Sequence, residues 1–337
     1  MSSPQIKISP LASGCRSTRL SITLPTIPRD GIIGESAAIL AVFSLIEKLG
    51  PASCTVLILG ETGTGKELVA RSLHARGPSK DGPFVPVDCG AISPSLIESE
   101  FFGYVKGAFT GAFRTTKGVL ETANGGTIFL DEIANLELQS QSRLLRAIEA
   151  REIRPLGATR YVPLNFRIIA ASNSNLTEAV AQGSFREDLF YRLNVAQLNI
   201  PPLRERRSDI PLIIEHLIGK FAITGESPRI VSNHCMRILM DYDWPGNVRE
   251  LQNAIEGAIA LCNTAIIEVD DLPDRIRPLC SVVLPSSNEN LSIASLKRRA
   301  ILRSVEMTGG DIGAASRLLD IPKTTLYRKL KAYRPKS

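Results

Sequence analysis

The stretch Thr-Val-Leu-Ile-Leu-Gly-Glu-Thr-Gly-Thr-Gly-Lys-Glu, residues 55–67, decides the fold of this chain. Its first five residues form a short apolar run that predicts a buried parallel strand, and the residues after it have helical spacing. Between them, the glycines of GETGTGKE allow a turn whose backbone N–H groups point at phosphate oxygens. Strand, Gly-rich loop and helix together predict a nucleotide-binding P-loop. A Gly-rich turn without a ligand is the alternative.

The candidate nucleotide-binding residues are those of the loop itself: Gly60, Glu61, Thr62, Gly63, Thr64, Gly65, Lys66 and Glu67. Lys66 is expected to reach the β- and γ-phosphates of ATP. Glu67 stands where the general pattern has a Ser or Thr hydroxyl for Mg²⁺, so the loop departs from that pattern at one position.

A second element is the strand Thr-Ile-Phe-Leu at 127–130, which ends in Asp131 and Glu132. Open α/β sheets bind ligands at the carboxyl edge of their strands. In a P-loop enzyme the first acid, Asp131, would hold Mg²⁺, and the second, Glu132, would polarise the attacking water. A strand that ends in exposed acids without a catalytic role is the alternative.

Composition is that of an ordinary globular protein. The chain has 337 residues, 44% of them hydrophobic and 22% charged, which allows two or three domains. No apolar run is long enough for a membrane span, and residues 1–28 lack the apolar segment of a signal peptide, so we expect a cytoplasmic protein without membrane association. The six cysteines form no CxxC pair, which argues against a disulfide framework or a zinc site.

Positive charge is concentrated at the C-terminus. The net charge is +6, and residues 286–337 contain 11 Lys or Arg against 4 Asp or Glu, a net of +7. Such a block indicates either a nucleic-acid-binding appendage or a solvated basic surface.

Alternating strands and helices predict a parallel α/β sheet followed by helices alone. We expect strands at 84–87, 127–130 and 166–170, a helix within 31–49 capped by Ser36, and helices between 210 and 261. The predicted organisation is a flexible tail at 1–28, an α/β nucleotide-binding subdomain at 29–200, a helical lid subdomain at 201–276, a linker at 277–290 and a basic helical domain at 291–337.

The last of these domains has the pattern of three helices, and Asp320-Ile321-Pro322 forms a tight turn before the third. Helix, short turn and helix in a basic segment indicate a helix-turn-helix, whose second helix enters the major groove of DNA. Its candidate DNA-binding residues are Lys323, Thr324, Thr325, Tyr327, Arg328, Lys329 and Lys331. A small helical packing domain without a DNA-binding role is the alternative.

The sequence Gly-Ala-Phe-Thr-Gly-Ala at 107–112 resembles the signature of the sigma-54-dependent transcriptional activators, bacterial enhancer-binding proteins of the AAA+ class. The resemblance runs nearly continuously from about 32 to 274 and returns at 321–330, which is similar to the Fis-type module of these proteins. It implies that Gly107, Ala108, Phe109, Thr110, Gly111 and Ala112 contact sigma-54. From the residues alone we expect a flexible tip that presents one aromatic ring and one hydroxyl; a buried Gly/Ala turn is the alternative.

The resemblance also implies roles for single residues. Glu67 is normal in the family's P-loop, and Asp131 and Glu132 match its acidic pair. Asn173 is similar to the residue that senses the γ-phosphate, and Arg249 resembles the arginine that senses nucleotide from the lid. Arg186 and Arg192, which could otherwise be surface charges, match arginines that act across the subunit interface.

Asp88 is a departure from the family pattern. Many members carry an Asn here that is thought to bind the catalytic glutamate and hold it inactive. An amide can donate a hydrogen bond to the Glu132 carboxylate, whereas an ionised Asp cannot. Two carboxylates in contact would instead raise one pKa or recruit a cation. We therefore predict that Asp88→Asn changes basal ATP turnover or its coupling to sigma-54.

The resemblance implies an ATPase that uses ATP and Mg²⁺, forms a homo-oligomeric ring, expected to be a hexamer, and remodels the closed complex of sigma-54 RNA polymerase from upstream enhancer DNA. Two alternatives are a DNA-binding AAA+ regulator that does not act on sigma-54 and a clamp-loader or helicase-like motor. An intact GAFTGA sequence argues against both. Since the tail is too short for a sensor domain, we expect control by a trans-acting regulatory protein, by abundance or by co-assembly with a paralogue.

Overall fold

The structure is a computed structural model and describes residues 31–221, 229–262 and 264–277, together with 301, 304–305, 311–313, 316 and 321–333. The chain divides into two compact units, Met1–Pro278 and Leu279–Ser337. The predicted tail at 1–28 and all of the predicted linker except its first residue lie outside the described residues.

The elements of the first unit, in chain order, are α1 (Ala37–Leu49), β1 (Val56–Leu59), α2 (Lys66–Ala75), β2 (Phe84–Asp88), α3 (Pro94–Phe102), β3 (Gly103–Tyr104), β4 (Thr116–Lys117), α4 (Val119–Thr122), β5 (Thr127–Asp131), α5 (Leu138–Ala150), β6 (Glu152–Ile153), β7 (Val162–Pro163), β8 (Arg167–Ser172), α6 (Leu176–Ala181), α7 (Glu187–Leu193), β9 (Ala196–Asn199), α8 (Ile210–Phe221), β10 (Ile230–Val231), α9 (Asn233–Asp241), α10 (Asn247–Leu261) and β11 (Ile266–Ile267).

A five-stranded parallel sheet in the order β2-β5-β8-β1-β9 forms the centre of this unit. The predicted parallel α/β sheet is confirmed, and the strands expected at 84–87, 127–130 and 166–170 correspond to β2, β5 and β8. The sheet also contains the edge strand β9, which the sequence analysis did not predict. Only one of its four residues, Leu198, is buried, so β9 lacks the apolar run that identifies the central strands.

Helices cover both faces of the sheet, because successive buried residues along a strand point to opposite faces and each face needs an apolar partner. In β1, Val56 and Ile58 pack with α1 and α2, while Leu57 points into the cluster on the opposite face. As predicted, Ser36 caps α1: its hydroxyl accepts a hydrogen bond from the backbone N–H of Ile39, which stabilises the first helical turn.

The lid follows the sheet along the chain. Helices α8, α9 and α10 pack around Trp244, which is fully buried and donates its indole N–H to the Leu239 carbonyl. The lid also contains the two-residue strands β10 and β11, which pair in parallel. No helix within the described part of the chain is long and apolar enough to cross a membrane.

The second unit is described mainly by one helix, α11 (Lys323–Tyr333), which begins where the sequence predicts the third helix of the helix-turn-helix. Leu326 and Ile301 are buried in a small apolar cluster, with Val305, Ile312 and Leu330 packed against it. Most residues of the first two predicted helices lie outside the described residues.

Candidate functional site

The phosphate loop connects β1 to α2 at the carboxyl edge of the sheet. Gly63 and Gly65 have φ angles of 79° and 100°, a backbone conformation that glycine adopts without steric strain. Gly65 immediately precedes α2, so the N–H groups of the loop lie next to those of the first helical turn. This geometry matches the predicted P-loop and suits an anion.

Lys66 is the first residue of α2, and its side chain lies along the loop. Its ammonium group donates to the carbonyl of Gly60 at 3.0 Å, and only 7% of the residue is exposed. Burial lowers the pKa of Lys66, with a smaller contribution from Arg249, while Asp131 and Glu132 act in the opposite direction. These opposing acids lie at the end of β5, so the lysine and both acids surround one space.

The side chain of Glu67 pairs with a residue of its own helix. Its carboxylate accepts two hydrogen bonds from Arg71, at 2.7 and 3.0 Å, in an exposed ion pair on α2. Thr64 donates its hydroxyl to the Glu61 carbonyl at 2.8 Å, which braces the turn of the loop. Neither side chain takes the place of the hydroxyl that the general P-loop pattern has after its lysine.

Three carboxylates meet at the carboxyl edge of the sheet. Asp131 and Glu132 follow β5, and Asp88 is directly opposite Asp131 in the parallel register of β2 and β5. Burial raises the pKa of Asp131; Glu132 and Asp88 add to this effect, while Lys66 and a hydrogen bond from the Glu132 N–H oppose it. The negative charge gathered at this edge would be offset by a bound cation.

The donor set at this edge fits Mg²⁺. Mg²⁺ prefers oxygen ligands and is usually held by one or two carboxylates together with substrate phosphates. Asp131 and Lys66 line the same pocket, so a cation on the Asp131 carboxylate would lie beside the phosphates. When bound, the cation would neutralise the charge of the phosphates and of the neighbouring acids.

Asp88 does not bind Glu132. One oxygen of its carboxylate accepts hydrogen bonds from the backbone N–H groups of Gly90 and Ala91, at 2.9 and 3.2 Å. The residue therefore shapes the turn after β2, and the effect of Asp88→Asn stays a prediction.

Two other amides contact the Glu132 carboxylate. Asn173 lies just beyond the end of β8, and its amide nitrogen is 3.2 Å from the Thr62 hydroxyl and 3.4 Å from one Glu132 oxygen. Asn135 donates to the other oxygen at 2.9 Å. The sequence analysis predicted the position of Asn173 and did not identify Asn135, because no motif marks the residue three positions after the acid.

The lid closes over the phosphate loop through the turn before α10. The carbonyl of Gly63 accepts the N–H groups of Val248 and Arg249, at 3.0 and 3.3 Å. A Cβ atom on Gly63 would lie 2.2 Å from the Gly246 carbonyl oxygen, so only glycine allows this approach. These bonds hold Arg249 in the wall of the same pocket as the phosphate loop. This is the position expected of an arginine that senses nucleotide from the lid.

Glu61 connects the loop to the lid. Its carboxylate forms a two-point ion pair with Arg204, at 2.6 and 2.8 Å, and accepts a further bond from Asn247. Asn247 also donates to the Thr62 carbonyl and is fully buried with a φ of 53°. Sequence analysis identified neither Arg204 nor Asn247, since their partners are more than a hundred residues away.

A cavity of about 580 Å³ joins these parts. Its polar wall is formed by the phosphate loop from Thr62 to Glu67 and by Asp88, Asp131, Glu132 and Arg249. Its apolar wall contains Ile32, Ile33, Ile200, Ile213 and Leu217. A cavity that contains both a phosphate loop and aliphatic side chains suits a ligand with phosphates and a flat apolar base.

The two candidate arginine fingers lie elsewhere on the surface. Arg186 caps the N-terminus of α7 and pairs with Asp188 at 2.7 Å, and Arg192 is exposed in the last turn of the same helix. Neither is among the described residues that line the cavity. The structure thus does not bring them to the nucleotide pocket of their own chain.

The GAFTGA loop projects from the β3–β4 ribbon. The N–H of Gly107 bonds to the Ala112 carbonyl at 2.9 Å, which closes the loop, and no atom lies near the position of a Cβ on Gly107 or Gly111. Phe109 is 46% exposed and packs against Tyr104, whereas Ala112 is buried. The expected exposed aromatic ring is present; Thr110 is exposed beside it, and Phe113, which was not predicted, is 85% exposed.

Helix α11 has a polar face and an apolar face. Lys323, Thr324, Tyr327 and Arg328 are exposed, Thr325 and Lys329 are half-buried, and Leu326 packs inward. Lys331 belongs to the helix, but its side chain lies outside what the structure describes. A face with two cations, a hydroxyl and an aromatic ring suits the edge of DNA bases and phosphates.

Three family models match the chain in order. The sigma-54 interaction domain matches residues 32–199, the AAA+ ATPase lid domain matches 204–281, and the Fis family of bacterial regulatory proteins matches 293–333. The transcriptional regulatory protein ZraR of Salmonella typhimurium is 41% identical over 321 residues, which cover 94% of this chain and 71% of that protein. The chain belongs to the sigma-54-dependent transcriptional activators.

Other activators and solved structures agree with this family. The regulatory protein AtoC of Escherichia coli is 41% identical over 310 residues, covering 90% of this chain and 67% of that protein. The crystal structure of NtrX from Brucella abortus in complex with ADP has a TM-score of 0.69 at 31% identity and covers 89% of this chain and 68% of its own. Its complex with ATP gives the same TM-score at 32% identity, with coverage of 90% and 69%.

Membership in this family establishes the general activity of the chain. This sigma-54 activator is an AAA+ ATPase that binds nucleotide, interacts with sigma-54 and RNA polymerase, and carries a Fis-type helix-turn-helix for DNA. The match to the sigma-54 interaction domain supports an activator that acts on sigma-54 over the DNA-binding regulator that does not.

Proposed function

We propose that this activator works as a ring, expected to be a homo-hexamer, in which ATP hydrolysis moves the GAFTGA loop against sigma-54 and converts the closed promoter complex to the open one. The observation that carries this proposal is the single-chain nucleotide pocket: it contains a phosphate loop, a lysine and the acids, but neither arginine of α7. The family resemblance assigns these two arginines to the nucleotide of a neighbouring subunit, so an adjacent chain would complete each pocket.

In this proposal the residues of the pocket divide the work of hydrolysis. The loop from Gly60 to Glu67 holds the phosphates, with Lys66 at the β- and γ-phosphates. Asp131 would hold Mg²⁺, which would neutralise phosphate charge when bound, and Glu132 orients and deprotonates the attacking water. Asn173 and Arg249 report the γ-phosphate to the sheet and to the lid.

Arg186 and Arg192 act on the nucleotide of the adjacent subunit. Arg192 is exposed in the last turn of α7, and Arg186 is half-buried just before its first residue. An arginine near the transferred phosphate stabilises the charge that develops there. In the single chain the Arg186 guanidinium pairs with Asp188 at 2.7 Å.

The loop from Gly107 to Ala112 is the part that acts on sigma-54. Two glycines with open space around them allow the tip to move, and Phe109 and Thr110 are exposed on it. Helix α11 attaches the ring to upstream enhancer DNA through Lys323, Thr324, Thr325, Tyr327, Arg328, Lys329 and Lys331. A protein with these partners acts in the cytoplasm, under a trans-acting regulator, its own abundance or co-assembly with a paralogue.

A single substitution separates hydrolysis from work on sigma-54. Thr110→Ala removes one exposed hydroxyl from the loop and leaves the nucleotide pocket intact, so we expect most ATP turnover to remain while open-complex formation at a sigma-54 promoter falls at least about tenfold. Thr177→Ala makes the same change at an exposed position of α6 and should alter neither. Equal open-complex formation by the Thr110 variant and wild type would overturn the role of the loop.

A further inference from the structure

The two oxygens of the Glu132 carboxylate have different surroundings. Oε1 faces the phosphate loop, because the amide nitrogen that approaches it at 3.4 Å, from Asn173, is also 3.2 Å from the Thr62 hydroxyl. Oε2 faces the other way and accepts a hydrogen bond from Asn135 Nδ2 at 2.9 Å. Oε2 is thus held by a hydrogen bond, and Oε1 faces the loop that would bind the phosphates.

The backbone fixes the same arrangement. Glu132 has left-handed dihedral angles, φ 52° and ψ 45°, and Ile133–Asn135 forms a single 3₁₀ turn directly after it. The N–H of Asn135 donates to the Glu132 carbonyl at 2.9 Å, so main chain and side chain of one residue both bond to Glu132. A non-glycine residue in this region of φ and ψ carries strain, which the surrounding contacts have to hold.

Gly90 leaves the space that this pair occupies. A Cβ atom on Gly90 would lie 2.8 Å from Asn135 Nδ2 and 3.0 Å from Glu132 Oε2. A methyl group there would displace the amide from the carboxylate. The turn after β2, which the Asp88 carboxylate holds in place, therefore allows the Asn135–Glu132 bond without taking part in it.

A carboxylate that orients a water molecule for attack needs a fixed direction, because misplacement of a catalytic group by about 1 Å can cost two orders of magnitude in rate. We propose that Asn135 is a positioning residue for ATP hydrolysis: it ties Oε2 of Glu132 so that Oε1 faces the attacking water beside the phosphate loop. Gly90 is part of this device because only its missing side chain leaves room for the amide. The proposal rests on the role of Glu132 proposed above.

Steady-state ATP turnover of the full chain tests this directly. Asn135→Ala should lower kcat about tenfold and leave the KM for ATP within about twofold, since the amide touches the carboxylate and not the loop that binds the nucleotide. Gly90→Ala should lower kcat to a similar extent. The double variant should be no slower than either single one, because both changes break the same bond.

The controls separate this proposal from a loss of folding and from the assignment of Glu132. Asn233→Ala removes an exposed amide from α9 in the lid and should leave kcat and KM unchanged. Glu132→Gln should lower kcat by at least about a hundredfold. If Glu132→Gln retains wild-type turnover, the assignment of the base itself fails, and this proposal with it.

If instead Glu132→Gln is inactive and Asn135→Ala turns over within twofold of wild type or faster, the base stands and the positioning role of Asn135 is wrong. Multiplied losses in the double variant would also overturn it, because they would mean that Gly90 and Asn135 act independently. Light scattering with nucleotide shows whether each variant still assembles. An Asn135 variant that assembles and binds ATP normally but turns over slowly has lost a contribution to catalysis and has not lost its fold.

Discussion

At the scale of single residues, Glu61 shows how a P-loop side chain can serve the lid. Its carboxylate turns toward Arg204 and Asn247, and the hydrogen bond from Arg204 lowers the pKa of Glu61. Both partners of the ion pair are about 40% exposed, so the pair stabilises the fold by only about 0.2–1 kcal/mol. The contact nevertheless fixes the lid to the residue that begins the phosphate loop.

The Glu61–Arg204 pair predicts a pH-dependent loss of stability. Because folding lowers the pKa of Glu61, its stabilisation is present above the unfolded pKa and disappears as the pH falls through the folded pKa. Arg204→Ala should therefore reduce the free energy of unfolding at about pH 7 by less than about 1 kcal/mol, and this difference should shrink toward about pH 4. Urea unfolding at both pH values measures it. Arg237→Ala, exposed on α9, should show no such pH dependence.

Asp88→Asn is a second test at this scale. An Asn carbonyl can still accept the N–H groups of Gly90 and Ala91, so the turn should be kept. The substitution removes one of the negative charges at this edge of the sheet, a charge that helps to raise the pKa of Asp131. We expect Asp88→Asn to change basal ATP turnover about threefold, or to change its coupling to sigma-54. An unchanged rate with and without sigma-54 would remove Asp88 from the mechanism.

At the scale of elements, the interior of α10 contains a glycine that the fold does not require. A Cβ on Gly257 would meet no atom within 4 Å, and the residue is in the middle of the helix. Since glycine is about 1 kcal/mol less favourable than alanine in a helix interior, Gly257→Ala should raise the free energy of unfolding by about 0.5–1 kcal/mol. Gly246→Ala is the contrasting change: its Cβ would lie 2.7 Å from the Glu250 Cβ and should destabilise the lid.

The sequence predicted those elements whose signals are local. The glycines of the phosphate loop, the apolar runs of β2, β5 and β8, and the cap at Ser36 each lie within a few residues, and each was found where expected. The acids at the end of β5 were also predicted, because ligands bind at the carboxyl ends of the strands in an open parallel sheet and these acids stand at such an end.

Other features depend on contacts between distant segments and could not be predicted. The edge strand β9 has one buried residue and no apolar period. The Arg204–Glu61 pair spans 143 residues. The Asn135–Glu132 bond is close in sequence, but it depends on the left-handed backbone at Glu132 and on the space at Gly90, neither of which a sequence pattern encodes.

At the scale of the whole molecule, the chain combines an ATPase with a Fis-type domain in a segment of high positive charge. Residues 286–337 have a net charge of +7 within a protein whose total is +6. Contacts between such a surface and phosphates release counterions, so binding to DNA weakens as salt increases. In the proposed ring the ATPase would also depend on subunit contact, since Arg186 and Arg192 are not among the described residues that line the pocket of their own chain.

The measurement that tests the account most directly is ATP turnover against protein concentration, with open-complex formation by sigma-54 polymerase followed in the same samples. The account predicts that turnover per chain rises cooperatively with concentration, because each active site needs a neighbour's arginine, and that open complexes appear over the same range. Turnover per chain that is constant with concentration would contradict the shared active site. Hydrolysis without open complexes at any concentration would contradict the coupling of ATP hydrolysis to promoter opening.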